Sequence, residues 1–352
     1  MDQFCFFVAD ATQNVVYSLL EGIPLLEQKD IPLLFELSQA VSGSGPFMHV
    51  NSGEYNYALR MVSSNLLFVF LSRHVAEYSN NLLHRLQITM EMVKGPSYYN
   101  HSPKQLRDMF MAIEPTILSV IRRPLQPTMQ THEASFFRAI PKTTRAAFSA
   151  ALDQIGLELA AVLVDNEYAA VTGSFMKLHA MERDLLLILA PLHESIECAD
   201  TPLYLPFTNP SIASRVLLSR VSADITVIAV SGVDPSLSQF SKKVTAAFSD
   251  IVKHAKVDYS TDISPFDAWL VIDSAGRAIS HKPTELDKGM GSNEYVYPLY
   301  RPGQTTYVVG AGDTRLVHVR SKKAMAVGLG SGERTVLVNK LVEVIDEFVG
   351  TV

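Results

Sequence analysis

The stretch with residue types closest to phosphate chemistry is rich in glycine and lies near residue 330. In "AMAVGLGSGERTVLV" (residues 324–338), an apolar run meets Gly328, Gly330 and Gly332, and a second apolar-periodic run follows. A strand, a glycine loop and a helix start, in this order, place backbone N–H groups and the positive end of a helix around a phosphate. The stretch therefore raises the hypothesis of a nucleotide site.

The spacing within this stretch argues against phosphate binding. A Walker A loop needs a lysine before its Ser or Thr, and "GLGSGERT" has none. A dinucleotide fingerprint needs a glycine three residues after Gly330, but position 333 is Glu, whose negative charge would repel phosphate. The sequence instead favours a tight turn from strand to helix, in which Ser331 is the N-cap and Glu333 lies in the first helical turn.

Two short stretches begin with His-Glu, as the zinc-protease motif H-E-x-x-H does. "HEASF" begins at His132 and "HESIE" at His193, but neither has the second histidine that a zinc-binding helix requires at the fifth position. The ten histidines are scattered, and none has another three or four residues away. His84 and His179 fall on helical patterns and are interpreted as packed or solvent-facing side chains. We therefore predict no metal site.

Nucleophiles and carboxylates give no catalytic pattern either. The sequence has no G-x-S-x-G elbow, and nothing favours one serine over the others. A hydrolase with a cryptic Ser-His-Asp triad stays an open alternative, because the members of such a triad can lie anywhere in a chain. The acidic pairs of "MERD" (Glu182, Asp184) and "IDE" (Asp346, Glu347) lie on mostly apolar helices and are interpreted as solvated faces. We therefore expect a protein that is not an enzyme, with no catalytic residue and no cofactor.

Composition bounds the class of protein. Of the 352 residues, 47% are hydrophobic and 19% are charged, which is enough apolar surface for one or several cores and excludes disorder as the main state. The net charge is −6, so the chain lacks the basic excess of proteins that grip nucleic acid, and we expect no nucleic-acid partner. Two cysteines, Cys5 and Cys198, are too few for a disulfide scaffold and suit a reducing cytosol.

The sequence also gives expectations about membranes. No apolar run approaches the roughly 18 residues that a spanning helix needs, and the first residues lack the basic region of a signal peptide. We therefore expect a cytoplasmic protein. The basic "RSKK" (320–323) is predicted to form a hairpin tip, either a peripheral contact with anionic lipid or a solvated turn.

The predicted secondary-structure elements follow a recurring order: hairpin, helix, three-strand meander, helix. The first pass comprises a hairpin (3–9, 15–20), a helix (31–42), three strands (46–50, 55–62, 66–72) and a helix (76–94). A further helix begins after Ser102, which forms a capping box with Gln105, and runs towards Arg123 with a kink at Pro115.

The same order returns after a polar, proline-broken linker. The second pass comprises a helix (142–155), a hairpin turning at Asp165-Asn166, a helix (178–194), three strands (202–207, 214–221, 224–231) and a helix after Asp234-Pro235. The third pass is partial, with a hairpin (268–280), strands (294–300, 304–309, 315–320, 323–328) and a helix (333–348), but no helix in the polar segment 282–293.

We therefore predict an α+β fold of three units, each an antiparallel sheet flanked by helices, the third lacking its first helix. The predicted domains are residues 1–123, 136–258 and 259–352, with a linker at 124–135. The third sheet should then have one face that another unit or a partner covers, because a large bare apolar face favours aggregation.

This order of elements resembles that of a longin domain, and three such units in one chain are the layout of the tri-longin family. The stretches most similar to the planar-cell-polarity branch of that family are "TPLYLPFTNPSIASRVLL" (201–218) and "GVDPSLSQF" (232–240). Three further stretches are similar to it: "LSRHVAEYSNNLLHRLQITMEMVKG" (71–95), "IPKTTRAAFSAALDQIG" (140–156) and "AAVLVDNEYAAVTG" (160–173). The similarity covers nearly the whole chain more thinly and is weakest in the third unit, where the 273–293 connection departs from the pattern.

The resemblance implies three longin-like units and a function in planar cell polarity and ciliogenesis. It implies an Inturned-like tri-longin partner subunit, a WD-repeat planar-cell-polarity effector in a larger assembly, and guanine-nucleotide exchange on a Rab-family small GTPase. It also implies a location at the cilium base and cytoskeleton. Two alternatives stay open. One is a Mon-type subunit of the late-endosomal Rab exchange factor, which shares the element order and a similar "LP-x-F/H-N/S" stretch. The other is a longin adaptor in vesicle traffic without exchange activity.

A candidate partner face lies on the predicted helix 31–42. Its apolar positions cover more than one narrow stripe, so some of them are expected to face a partner: Ile31, Leu33, Leu34, Phe35 and Leu37. The alternative is that both faces of the helix are buried internally, between the sheet and a neighbouring unit.

Overall fold

The computed structural model describes most of the chain. The described residues are 3–41, 47–51, 53, 55–73, 76–122, 135–138, 140–190, 196–254, 266–273, 277–281, 306–311, 314–320, 324–331 and 333–349. They include sixteen strands in two sheets and eight α-helices, so the α+β prediction is confirmed. The chain forms two compact units, one of residues 1–125 with 202–214 and one of residues 126–201 with 215–352. The boundaries of the three predicted domains stay a prediction.

The first unit contains a five-stranded antiparallel sheet. Its strands, in the spatial order β2-β1-β5-β4-β3, are β1 (Phe4–Asp10), β2 (Val15–Glu21), β3 (Phe47–Asn51), β4 (Asn56–Ser63) and β5 (Leu66–Ser72). Its helices are α1 (Ile31–Val41), α2 (Ala76–Lys94), α3 (Pro103–Ala112) and α4 (Glu114–Arg122).

Different helices cover the two faces of this sheet, because its central strands are apolar on both faces. Every residue of β1 and β5 is buried. On one face, Ile31 and Leu34 of α1 share a core with Phe7. On the other face, the ring of Phe68 lies 5.7 Å from that of Phe110 in α3. Full burial of one such side chain contributes about 1.5–3 kcal/mol, so apolar contacts hold these layers together.

The second unit contains an eleven-stranded sheet. Its strands are β6 (Ser135–Arg138), β7 (Leu159–Val164), β8 (Glu167–Val171), β9 (Cys198–Leu205), β10 (Asn209–Arg220), β11 (Ile225–Ser231), β12 (Phe266–Asp273), β13 (Arg277–His281), β14 (Thr306–Ala311), β15 (Thr314–Arg320) and β16 (Ala324–Ser331). Their spatial order is β14-β15-β16-β12-β13-β6-β8-β7-β11-β10-β9. Residues 202–214, at the tip of the β9–β10 hairpin, group with the first unit.

The helices of the second unit are α5 (Lys142–Ile155), α6 (Ala180–Leu189), α7 (Leu237–His254) and α8 (Arg334–Val349). α5 and α7 pack together in a core with β7 and β11. The rings of Phe148 and Phe248 lie 5.9 Å apart between these helices. The Lys243 ammonium donates to the carbonyl of Ile155, 3.3 Å away, and so binds an otherwise unpaired acceptor at the end of α5.

One strand order recurs in three successive blocks of five strands. We call β1–β5 the first block, β7–β11 the second block and β12–β16 the third block. In each block, the spatial order is second, first, fifth, fourth, third strand. β6 belongs to no block, because it lies between β8 and β13.

Local signals set several element boundaries where the sequence predicts them. Ser102 and Gln105 form the predicted capping box at the start of α3. α5 ends at Gly156, which has a left-handed backbone. The β7–β8 hairpin turns at Asp165 and Asn166, both with positive φ, a conformation that these residue types tolerate better than most.

The predicted helix from Ser102 to Arg123 is wrong in one respect, because the structure has two helices there. α3 ends at Ala112, and α4 begins at Glu114, next to Pro115. A proline has no N–H to donate and fits only the first turn of a helix, so the chain breaks before Pro115 instead of bending through it. Three other predictions lie outside the described residues: the linker up to residue 134, the absence of a helix at 282–293 and the strand at 294–300.

We expect Gly95→Ala to lower the free energy of unfolding by more than Gly156→Ala. Both glycines follow a helix with φ of +91° and +72°, so alanine strains each backbone by about 1 kcal/mol. Only at Gly95 would the new Cβ also lie 3.1 Å from the ring of Tyr204, a residue of the same unit. Urea unfolding of the two variants measures the difference.

A Tyr204→Ala background provides the control for this prediction. Without the Tyr204 ring, Gly95→Ala should lower the free energy of unfolding only by the backbone strain, that is, by about as much as Gly156→Ala does. If Gly95→Ala still destabilised the chain by more than Gly156→Ala in this background, the predicted clash with Tyr204 would be contradicted.

Candidate functional site

The predicted partner face on α1 is divided between the core and the surface. Ile31, Leu34 and Phe35 are buried beneath the helix in the core of the first unit. Leu33 is 55% exposed, and Leu37 is half-buried. The partner face stays a prediction, and within it only Leu33 and Leu37 offer a partner side-chain surface.

A further exposed apolar side chain, Leu20, lies on the side of the sheet that α1 covers. Leu20 pairs with Cys5 across β2 and β1, and such cross-strand partners point to the same face. Cys5 belongs to the core beneath α1, and Leu20 is 48% exposed on the outermost strand of that sheet. The sequence did not single out Leu20, because an apolar residue in a strand gives no sign of whether its side chain is covered.

The glycine-rich stretch is not a phosphate loop. Gly328 and Gly330 lie inside β16, which pairs with β12 on one side and β15 on the other. Backbone N–H groups in two hydrogen-bonded ladders are not free for a phosphate. Ser331 is the last residue of β16 and α8 begins at Arg334, so only two residues connect strand and helix, in agreement with the predicted tight turn. The predictions of Ser331 as N-cap and of Glu333 in the first helical turn are wrong, because Ser331 lies in the strand and Glu333 precedes the helix.

Gly328 has a packing role. A Cβ at this position would lie 2.6 Å from Cε1 of Phe266, which is 3% exposed. Glycine in β16 therefore leaves the space that this ring fills.

The polar residues at the start of α6 hold the helix end. His179 is the N-cap, and its Nδ1 accepts a hydrogen bond from the N–H of Met181 at 3.3 Å. Glu182 accepts a bond from the N–H of His179 at 3.1 Å and completes a capping box. Glu182 is fully buried, so the interpretation of this carboxylate as part of a solvated face is wrong.

Most of the other residues singled out for chemistry have side chains outside the described part of the chain. His84 is half-buried in α2. His132, His193 and residues 321–323 of the basic "RSKK" lie outside the described part of the chain, as do the side chains of Asp346 and Glu347.

A polar cluster between β4 and α2 links a buried arginine and a half-buried glutamate through an amide. Arg60 Nε donates to Gln87 Oε1, and Gln87 Nε2 donates to Glu91 Oε1 at 2.7 Å. Burial lowers the pKa of Arg60 to about 10, and the Glu91 charge opposes that shift. Burial raises the pKa of Glu91 and of nearby Tyr98. Each charge offsets the desolvation of the other, which makes the cluster a structural element of the first unit.

An open pocket of about 270 Å³ lies at the turn end of the second block. Its lining residues come mainly from the β7–β8 and β10–β11 turns and include Asp165, Asp224, Ile196 and Arg220. The Arg220 guanidinium donates to two carbonyls of its own turn, at 3.3 and 3.0 Å. Asp165 lies 2.9 Å from Nη1 of Arg138. These side chains stabilise the turns that carry them, and they do not form a nucleophile–base arrangement.

Within the described residues, no group of three His, Cys, Asp or Glu side chains is placed to hold a metal ion. No helix in those residues is both long enough and apolar enough to cross a membrane. No family model matches the chain, and no curated protein matches it.

The two cysteines should react very differently with the thiol reagent DTNB. Cys5 is fully buried, and burial raises its pKa to about 12, whereas Cys198 is half-buried. Because the thiolate is the nucleophile, we expect Cys198 to react first and Cys5 to react only after unfolding. Cys198→Ser should remove the fast phase, and Cys5→Ser should leave it intact. Rapid reaction of two thiols in the folded chain would contradict the burial of Cys5.

Gly328→Ala should destabilise the chain by about 1–3 kcal/mol, the usual cost of overpacking, because the new methyl group would overlap Phe266. Thermal unfolding measures the loss. Gly232→Ala is the matched control, because nothing lies within 4 Å of a Cβ at that position. An unchanged melting temperature for Gly328→Ala would show that the ring of Phe266 lies elsewhere.

Proposed function

We propose that this chain is a tri-longin subunit of a heterodimeric guanine-nucleotide exchange factor for a Rab GTPase, of the Fuzzy type that serves planar cell polarity and ciliogenesis. The observation that supports the proposal is the strand order second-first-fifth-fourth-third in three successive blocks. Three longin units in one chain would give this recurrence. The sequence stretches at 201–218 and 232–240 support the Fuzzy-type assignment.

The positions of the helices agree with this interpretation. A helix follows the fifth strand of each block: α2 after β5, α7 after β11 and α8 after β16. A helix also lies between the second and third strands of the first two blocks, as α1 and α6. In the proposal, the third unit lacks this helix, and the connection concerned lies outside the described residues.

The proposed activity needs no phosphate loop in this chain. An exchange factor accelerates nucleotide release by binding the nucleotide-free GTPase more tightly than the nucleotide-bound form. A tenfold difference between these affinities corresponds to about 1.4 kcal/mol, an amount that surface contacts can supply. The nucleotide belongs to the GTPase, and this chain contributes surface that favours one GTPase conformation.

The partner in the proposal is an Inturned-like tri-longin subunit, which binds the side of the first unit on which α1 lies. Leu33 and Leu20 contribute apolar surface on this side of the first unit. The pair then joins a WD-repeat effector at the cilium base, and the basic "RSKK" at 320–323 provides a peripheral contact with anionic lipid.

Nucleotide release from purified Rab GTPases tests the activity. The chain is prepared alone and together with an Inturned-like subunit, and release of a fluorescent GDP analogue is followed for a panel of Rabs. The proposal expects faster release from at least one Rab with the complex. Acceleration only of a late-endosomal Rab with a different tri-longin partner would favour the Mon-type alternative. A stable complex that accelerates no Rab would reject exchange activity and leave the adaptor alternative.

Leu33→Asp should weaken binding to the partner subunit by about tenfold or more, because it places a charge in an apolar contact. Met111→Asp is the matched control, because Met111 is also 55% exposed but lies on α3. Both substitutions are on the surface, so the unfolding temperature should change little. Titration of the labelled chain with the Inturned-like subunit measures the affinity. Equal affinities for the two variants would exclude Leu33 from the interface.

A further inference from the structure

β6 differs from every strand of the three blocks. It is four residues long and pairs in parallel with both neighbours, β13 and β8. The block pairs with assigned register are antiparallel. In parallel sheets, neighbouring strands require long connections, so β6 is not part of a hairpin with either neighbour. It is an extended segment placed between two strands.

The blocks have their recurring five-strand order without β6. β8 and β13 are the second strands of their blocks, and the corresponding strand of the first block, β2, is the outermost strand of its sheet. Within the described residues, one second strand, β2, has no strand added at its outer edge, and the other two, β8 and β13, share the same added strand. We call the space between β8 and β13 the slot.

Side chains, rather than length, anchor β6 in the slot. Phe137 is 6% exposed, and its ring lies 5.5 Å from that of Tyr168 in β8. Tyr168 is fully buried, and its hydroxyl donates to the carbonyl of Arg183 at 2.7 Å. This hydrogen bond fixes the Tyr168 ring, which forms the aromatic floor of the slot beneath Phe137. Each backbone hydrogen bond of a four-residue strand stabilises by only about 1 kcal/mol net, so an aromatic anchor is a large part of the binding.

Two carboxylates at one end of the slot favour a positively charged side chain there. Nη1 of Arg138 lies 2.9 Å from Oδ2 of Asp165 and 3.8 Å from Oε2 of Glu167. Both carboxylates belong to the β7–β8 hairpin. The slot therefore combines two strand edges, an aromatic floor and an acidic end, which together fit an extended segment with an aromatic residue followed by a basic one.

We propose that the slot between β8 and β13 is a strand-binding site, that β6 is its resident in-chain ligand, and that an extended segment of a partner protein with an aromatic–basic pair takes the same place when β6 leaves. Strand exchange of this kind conserves the backbone ladder and the Arg–carboxylate pair. The resident strand then regulates access of the partner. This proposal does not depend on the exchange-factor function.

Hydrogen exchange of the unmodified full-length chain tests whether β6 leaves the slot. The amides of Phe136, Phe137 and Arg138 should exchange about tenfold or more faster than those of the central strands β7 and β12, because local opening has a lower free energy than global unfolding. Equal rates for β6, β7 and β12 would mean that β6 opens only with the whole unit and would overturn the proposal.

Peptide binding tests whether the slot accepts a segment from outside. The probe is a fluorescent peptide of residues 133–140, EASFFRAI, added to the full chain and to its Phe137→Ser variant. Loss of the in-chain anchor should raise the affinity for the peptide about tenfold or more over the unmodified chain. Peptides carrying Phe137→Ser or Arg138→Glu are the controls and should not bind.

Each outcome of the peptide experiment decides the proposal. A folded Phe137→Ser chain that binds no peptide, or equal affinities for the variant and the unmodified chain, would overturn it. Circular dichroism establishes that the variant is folded. If the variant does not fold, the hydrogen exchange of the unmodified chain decides alone.

Discussion

The fold depends on pairs of central strands that are apolar on both faces. In the first block, β1 and β5 are buried along their whole length, and β7 and β11 occupy the same places in the second block. A strand that is apolar on both faces is stable only when a layer on each side removes it from water. Because the first and fifth strands are neighbours, the central pair of each block joins segments that are far apart in sequence. The helices that cover the faces therefore depend on non-local strand pairing for their own burial.

Elements set by local chemistry follow from the sequence, and those set by distant contacts do not. The helix ends at Ser102 and Gly156 were predicted, because a capping box and a left-handed glycine act within a few residues. The predicted strand 323–328 stops at Gly328, whereas β16 continues to Ser331, and the packing role of Gly328 was missed because it depends on Phe266, which is far away in sequence. β6 was not predicted either, since four residues show no periodicity and their position depends on two other strands. The burial of Glu182 was missed, because its N-cap partner is a histidine and not a usual capping residue.

The candidate partner face shows the limit of a hydrophobic pattern. The apolar stripe on α1 is wider than a single narrow seam, which the sequence analysis interpreted as surface for a partner. In the structure, most of that width lies over the sheet, where Ile31, Leu34 and Phe35 join the same core. The pattern therefore predicts the helix correctly, and only tertiary packing separates Leu33 and Leu37 from the three buried residues. Apolar sequence alone does not distinguish a residue that meets its own sheet from one that meets another protein.

Partner binding in a fold of this kind can draw on two different physical resources. One is apolar side-chain surface such as Leu33 and Leu20, where the binding free energy comes from the apolar area that is removed from water. A single charge introduced into such a contact weakens binding strongly. The other is a strand edge, where backbone N–H and C=O groups give a ladder that tolerates many sequences and side-chain anchors give the selectivity. β6 uses the second resource within the chain, with Phe137 and Arg138 as anchors. A substitution such as Leu33→Asp therefore acts on the first resource and should leave the second unchanged, so binding through α1 and binding through the slot are separable by mutation.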